Sequence, residues 1–172
     1  YFDMDFDYRT HAENACSLMG SDYLTNAVKY SEGIRILRQE LWETTVSFII
    51  SANNNIPRIR KILSALCIGN AAFPAPDDII SMGIEKIREC GTGYRDRYLI
   101  KAAEFFLERD VLSELQGLDY LTAKKYLMQI TGVGSKVADC VCLFSLGYKD
   151  AFPRDVWIKR IEAERFRGRF PE

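Results

Sequence analysis

Large hydrophobic residues in the first half of the chain recur with the spacing of an amphipathic helix. One segment places them at i, i+4, i+7 and i+8, as Trp42, Val46, Ile49 and Ile50. The same period returns from Ile56 to Leu66, after a polar break of Ser51 to Asn55. Pro57 suits the first turn of that second helix, and an Asn just before the turn is a good cap. The pattern therefore predicts two helices joined by an Asn-rich turn.

The remainder of the chain has mainly a helical period as well. It predicts helices from about Tyr94 to Leu107, Leu121 to Ile130 and Ser135 to Leu146, a short helix ending near Cys90, and a final amphipathic helix after Asp155. The segment from Ser135 to Leu146 is apolar on nearly every side, which indicates a buried helix. Residues 1–8 alone alternate apolar and polar positions as a strand does. We therefore predict a mainly all-α fold with one strand at the N-terminus.

Composition narrows the class of protein. The 172 residues are 48% hydrophobic and 27% charged, which excludes a disordered chain and suits one domain or two small lobes sharing a core. Twenty-three Lys and Arg against 24 Asp and Glu give a net charge of -1, so the chain is not a polybasic binder of DNA or membranes. The five cysteines form no CxxC pair, which indicates reduced thiols inside a cell. No stretch is apolar enough to cross a bilayer.

A glycine turn lies between the two helices predicted over 121–146. Gly132 and Gly134 let the backbone reverse sharply, while Val133 between them can point into a core. The amides that open the following helix would then face outward, where they can bind a phosphate oxygen without a basic side chain. The alternative is an ordinary corner between two helices with glycine at its cap.

Lys136 stands in the first turn of the buried helix. The positive end of the helix dipole and the apolar surroundings both disfavour its ammonium form, and a neutral amine is a nucleophile able to form an imine. The alternative is a salt bridge to Asp139, three residues on. That pair has the less favourable order and would contribute only about 0.2–0.5 kcal/mol.

Asp155 opens the last predicted helix, nineteen positions after Lys136. An ionised carboxylate fixed there suits the stabilisation of positive charge developing on a sugar. The alternative is a plain N-cap.

These motifs together resemble a known family. The segments 131–140 and 153–156, with the Asn-rich segment 51–59 and the Gly-Tyr-Arg segment 91–98, are similar to the helix-hairpin-helix (HhH-GPD) DNA glycosylases, and most closely to the 8-oxoguanine DNA glycosylases. The resemblance implies a two-lobed helical core. It assigns residues 34–172 to the catalytic helical domain, with the hairpin at 121–146 and the Asp loop at 152–155, and residues 1–33 to an N-terminal strand and connecting helices.

The resemblance also implies segments beyond this sequence. Family members have a sheet domain ahead of the position of Tyr1 and a pocket helix after that of Glu172. We therefore expect a fragment or a processed chain, whose residues 1–8 are the last strand of that sheet domain.

By resemblance the protein is a bifunctional glycosylase and AP lyase of base excision repair that removes 8-oxoguanine from duplex DNA. Lys136 is then the amine that attacks the sugar, and Asp155 assists base departure. The implied DNA and pocket contacts are Asn53 in the gap left by the flipped base, Arg58 and Arg95 on the orphaned cytosine, Tyr94 as a wedge, the turn Gly132, Val133 and Gly134 on phosphate, and Cys140 in the base pocket.

The resemblance has consequences for cofactors and partners too. The backbone carbonyls of Met128, Ile130 and Val133 could hold a structural monovalent cation or Ca²⁺. We expect no iron–sulfur cluster, since no Cys follows Cys142. The expected partner is damaged double-stranded DNA, bound by a monomer that is located with the genome and has no membrane contact.

Three other interpretations stay open at this point. One is a hairpin glycosylase for a different damaged base. A second is a DNA-binding module without catalysis, against which the joint presence of Lys136 and Asp155 speaks. A third is a catalytic fragment that has lost activity.

Overall fold

The computed structural model describes residues 1–67 and 72–166, and within them the chain is helical and has no strand. Its helices are α1 (Tyr8–Met19), α2 (Asp22–Tyr30), α3 (Leu41–Ser51), α4 (Ile56–Leu66), α5 (Pro76–Ile87), α6 (Asp96–Glu108), α7 (Val111–Leu115), α8 (Tyr120–Leu127), α9 (Ser135–Val141) and α10 (Val156–Arg165). Short π-helical turns follow α5 and α9, at Arg88–Thr92 and Cys142–Leu146, and a 3₁₀ turn, Gly93–Arg95, leads into α6. The predicted all-α class is confirmed. Among the described helices, none has the length and apolarity needed to span a bilayer.

The chain forms two compact units. The larger runs from Gln39 to Pro153, and the smaller combines Tyr1–Arg38 with the chain from Arg154 onward. The domain boundary that the sequence places after residue 33 stays a prediction.

Helix α3 lies at the centre of the larger unit. Its residues Val46, Ile49 and Ile50 are at most 1% exposed, and it packs on α4, α6 and α9. Burial of each such side chain contributes roughly 1.5–3 kcal/mol, so the packing around α3 fixes the position of α9. The predicted burial of α9 is confirmed, since Val137, Ala138 and Val141 all belong to this core.

The Asn-rich turn between α3 and α4 forms as predicted. Asn55 caps α4, because its Oδ1 accepts the amide of Arg58 at 3.0 Å, and Pro57 lies in the first turn. Asn54 donates to the Ile50 carbonyl at 3.0 Å and so closes the end of α3. One short helix of this unit, α7, has no clear hydrophobic period, so the sequence pattern does not predict it.

The smaller unit corrects the prediction for residues 1–8. They form no strand: the residues before Tyr8 make turns, with Asp3 at φ 50°, and α1 begins at Tyr8. A strand needs a neighbour for its amides and carbonyls, whereas here the Tyr1 carbonyl accepts one bond from the Arg38 amide. The buried Asp3 carboxylate holds the segment instead, by accepting from the Tyr8 hydroxyl at 2.7 Å and the Arg38 guanidinium at 3.1 Å.

Candidate active site

The hairpin consists of α8, the glycine turn and α9. Gly132 has φ +92°, a conformation that other residues rarely adopt, and a Cβ there would lie 2.9 Å from the Cβ of Tyr98. Val133 is buried as predicted, at 5% exposure. Gly134 is the extended N-cap of α9, and no side chain caps the helix. The first amides of α9 therefore remain available to an anion, as phosphate binding requires.

Asp139 does not pair with Lys136. Its carboxylate oxygens lie 2.8 and 2.9 Å from the Lys124 ammonium on α8, and it accepts a 2.6 Å hydrogen bond from the Tyr120 hydroxyl. These contacts tie α8 to α9 beneath the turn. The salt-bridge alternative for Lys136 is thus wrong, because Asp139 pairs with Lys124. The i, i+3 spacing of Lys136 and Asp139 could not show this competing lysine fifteen residues earlier in the chain.

The surroundings of Asp139 keep the neighbouring acids protonated. Burial, and then the hydrogen bond to Asp139, raises the pKa of Tyr120 well above its ordinary value. Burial, and then the charge of Asp139, raises the pKa of the Cys142 thiol from 9.0 to about 12. The cluster therefore holds one ion pair, Asp139 with Lys124, and two neutral groups.

Lys136 is half-buried on α9 and has no carboxylate partner among the described residues. Its ammonium nitrogen lies 5.2 Å from the centre of the Phe48 ring on α3. Cys140, one turn later on α9, is buried at 2% exposure. An amine without an ion-pair partner, beside an uncapped helix N-terminus, is placed where it can act as a nucleophile.

Asn53 lies exposed at the turn between α3 and α4, in a left-handed conformation with φ 49°. The guanidinium of Arg95 donates to its carbonyl at 3.2 Å and to the carbonyl of Ala52. Arg95 itself is 3% exposed, and its Nε has no hydrogen-bond partner among the described residues. The structure therefore uses Arg95 to hold the Asn53 turn, a role that the sequence did not indicate.

Arg58 and Tyr94 are exposed on the same unit. Arg58 donates to the Gly91 carbonyl at 3.2 Å, and Tyr94 is 57% exposed. The Tyr94 ring lies edge to face with Tyr98, at 5.8 Å, and beneath the Arg95 guanidinium, at 4.4 Å. Since Tyr98 also contacts Gly132, this one ring connects the exposed Tyr94 to the glycine turn.

The carbonyls of Met128, Ile130 and Val133 remain candidate cation ligands by their chemistry, since oxygen atoms of this kind suit hard cations. The Ile130 carbonyl accepts the Val133 amide at 3.0 Å, which leaves it one lone pair for a metal ion. Within the described chain no group of three His, Cys, Asp or Glu side chains forms a metal site.

Asp155 belongs to the smaller unit. Its Oδ1 accepts the amide of Ile158 at 2.8 Å, which confirms that it is the N-cap of α10. The preceding Arg154 pairs with Glu162 at 2.9 Å. The carboxylate of Asp155 is therefore fixed at the start of its helix, as both the capping and the catalytic interpretations require.

Comparison with known proteins identifies the family. The profile of the HhH-GPD superfamily base excision DNA repair proteins matches residues 46–168, which is most of the chain. The chain belongs to the HhH-GPD superfamily. The match includes the hairpin, Lys136 and Asp155, as the sequence motifs had indicated.

Individual HhH-GPD relatives are substantially longer. The N-glycosylase/DNA lyase of Saccharomyces cerevisiae is 40% identical over 154 residues, which cover 76% of this chain and 41% of the yeast protein. The N-glycosylase/DNA lyase OGG1 of Arabidopsis thaliana is 30% identical over 88% of this chain and 47% of its own length. This chain thus spans about half the length of these relatives.

Two solved structures have the same fold. MBOgg1 in complex with a low-affinity DNA ligand superposes with a TM-score of 0.85 at 41% identity, over 95% of this chain and 60% of that one. The 8-oxoguanine glycosylase/lyase of Clostridium acetobutylicum, bound to duplex DNA containing cytosine opposite 8-oxoguanine, gives a TM-score of 0.85 at 32% identity, over 99% and 62%.

Proposed function

We propose that this protein is a DNA glycosylase with AP lyase activity that excises 8-oxoguanine from duplex DNA during base excision repair. The observation that carries the proposal is the Lys136 amine, half-buried beside an uncapped helix N-terminus and without a carboxylate partner in the described chain. The names of its relatives support the substrate and the double activity. The protein then acts on genomic DNA inside the cell, as a monomer.

The covalent step begins with the neutral amine of Lys136. Its nitrogen bonds to C1′ of the damaged nucleotide while the glycosidic bond breaks, and the base leaves with the bonding electrons and takes up a proton. Opening of the sugar ring moves an electron pair onto O4′, which is protonated, and leaves an imine between C1′ and the lysine nitrogen. Loss of a C2′ proton then expels the 3′ phosphate by β-elimination.

DNA binding is proposed to rest on local features, because the whole chain carries a net charge of -1. The open amides of α9 would receive a phosphate oxygen near Gly134. Chemistry on a base requires its removal from the helical stack, and the exposed Asn53 and Tyr94 would fill and open the gap. Arg58 would read the orphaned base, the buried Arg95 would hold the Asn53 turn beside it, and Asp155 would stabilise positive charge on the sugar.

Base specificity and cation binding complete the proposal. The buried Cys140 lies on the same helix as Lys136 and would line the base pocket. The carbonyls of Met128, Ile130 and Val133 would hold a monovalent cation or Ca²⁺ that keeps the turn in shape, and the chemistry itself needs no cofactor.

The decisive experiment is reduction of the imine by borohydride on duplex DNA carrying 8-oxoguanine opposite cytosine, with an abasic-site duplex alongside. We expect a covalent adduct on both duplexes, and none with Lys136→Gln. An adduct on the abasic duplex alone would support the lyase activity and overturn 8-oxoguanine excision. Duplexes with other damaged bases would then identify the substrate. DNA binding without adduct on either duplex would show a binding module instead.

A further inference from the structure

The Lys136 ammonium lies beside an aromatic ring and not beside a carboxylate of the described chain. Its nitrogen lies 5.2 Å from the centre of the Phe48 ring, within the range of a cation–π contact. The nearest acid in its own helix, Asp139, is bound to Lys124 and Tyr120. Within the described residues Phe48 is thus the group that holds the charged end of Lys136.

The Phe48 ring is itself held in place by a second ring. Phe144, in the π-helical turn after α9, stacks on it with ring centres 5.6 Å apart and an angle of 19° between the planes. The carbonyl of Phe144 accepts the amide of Gln39 at 2.8 Å, which fixes the turn against the residues ahead of α3. The stacking gives the two rings a defined relative orientation. Both rings are half-buried, so each is still partly exposed to solvent.

A ring and a carboxylate affect an amine differently. A carboxylate would bind the ammonium strongly and hold it in the form that cannot attack, whereas a ring face attracts the cation more weakly. When a neutral amine attacks C1′, its nitrogen gains positive charge, and the electron-rich ring face stabilises that charge as it develops. The iminium that follows carries the same charge beside the same ring.

We propose that Phe48 is a positioning residue for Lys136, which holds the amine over its face and stabilises the charge that the nitrogen acquires during attack. Phe144 supports Phe48 by stacking on its ring. This inference rests on the proposed function, because it assigns Phe48 a part in imine formation by Lys136.

The test replaces Phe48 by phenylalanines with one, two and three ring fluorines, since fluorine withdraws electron density from the face and alters the shape little. The measurement is the rate of borohydride-trapped adduct on abasic duplex DNA, at the alkaline plateau where the amine reacts in its neutral form. Binding to a duplex with a tetrahydrofuran abasic analogue is measured in parallel. The matched control is the same series at Phe106, which lies edge to face with Trp42 at 5.0 Å.

The plateau rate is expected to fall with each added fluorine at position 48, by roughly three- to thirtyfold in all, while DNA binding and the Phe106 series stay unchanged. Phe48→Tyr should keep the plateau rate because it keeps the aromatic ring. Phe48→Leu should lose that rate because it removes the ring. A flat series at Phe48, or an equal fall at Phe106, would overturn the role of Phe48 and leave the proposed function intact. Failure of the unsubstituted protein to form adduct would overturn both proposals.

Discussion

Two lysines of the hairpin, Lys124 and Lys136, have surroundings that differ completely. Lys124 on α8 is 22% exposed and pairs with the buried Asp139, so that it ties the two helices together. Lys136 on α9 lies over the Phe48 ring and has no acid partner in the described chain. The same residue type is a structural cation in one place and a candidate nucleophile in the other. The comparison shows that the partner, and not the residue type or its helix, decides which role a lysine can take.

The largest expected effect is on chemistry at Lys136. Lys136→Gln should lower adduct formation on abasic DNA by at least about a thousandfold, because it removes the nucleophile. Its binding to an uncleavable abasic analogue should stay near that of the parent, since the hairpin amides are untouched. Trapping assays and fluorescence anisotropy on the same preparations measure both. An adduct that persists in Lys136→Gln would assign the nucleophile elsewhere.

Replacement of Asp139, the partner of Lys124, is expected to lower stability and not activity. Asp139→Asn removes the charge that pairs with Lys124 and should lower the free energy of unfolding by about 3 kcal/mol, since breaking a largely buried pair leaves one charge uncompensated. Urea unfolding followed by circular dichroism measures the loss. Adduct formation per folded molecule should change far less than in Lys136→Gln. A variant of unchanged stability but without activity would show that Asp139 acts on Lys136 after all.

The glycine turn gives an effect of intermediate size. Gly132→Ala puts a Cβ 2.9 Å from that of Tyr98 at φ +92°, and should cost about 1–3 kcal/mol of stability and weaken DNA binding. Gly134→Ala is the matched control, because nothing lies within 4 Å of a Cβ there and its φ is ordinary. Thermal unfolding of both variants tests the difference in stability, and anisotropy of Gly132→Ala tests its DNA binding. Equal behaviour would mean that the turn tolerates displacement of Tyr98.

The smallest effect is a dependence of stability on alkaline pH. The fold keeps Cys142 protonated up to a pKa of about 12, whereas the thiol of the unfolded chain ionises near 9.0. The folded state therefore binds more protons between these values, and stability should fall as pH rises through this window. For the thiol alone the loss is about 2 kcal/mol by about pH 10.5. Urea unfolding of the protein and of Cys142→Ala at neutral and alkaline pH checks this, and equal slopes for the two would contradict it.

The sequence was sufficient for features that depend on neighbouring residues. Helical period located α3, α4, α8 and α9, and the glycine turn and the caps at Asn55 and Asp155 followed from residue types at helix ends. The alternation in residues 1–8 predicted a strand wrongly, because alternation does not supply the neighbouring strand that pairing requires.

Features that join distant parts of the chain could not be predicted. The burial of Arg95 beneath the Asn53 turn depends on a contact across 42 positions, so an exposed DNA-reading arginine and a buried one look the same in sequence. The partner of Asp139 and the ring over Lys136 are likewise set by how α3 and α8 pack on α9. Phe48 gave no signal beyond that of an ordinary apolar residue in a helix.

The most direct test of the contrast between the two lysines is to locate the trapped sugar. Protein reduced with borohydride on abasic duplex DNA is digested with nuclease and protease, and the modified peptide is sequenced by mass spectrometry. The account predicts the sugar remnant on the nitrogen of Lys136 and none on Lys124. A remnant on Lys124, or on any other lysine, would contradict the assignment of the nucleophile on which the proposed function rests.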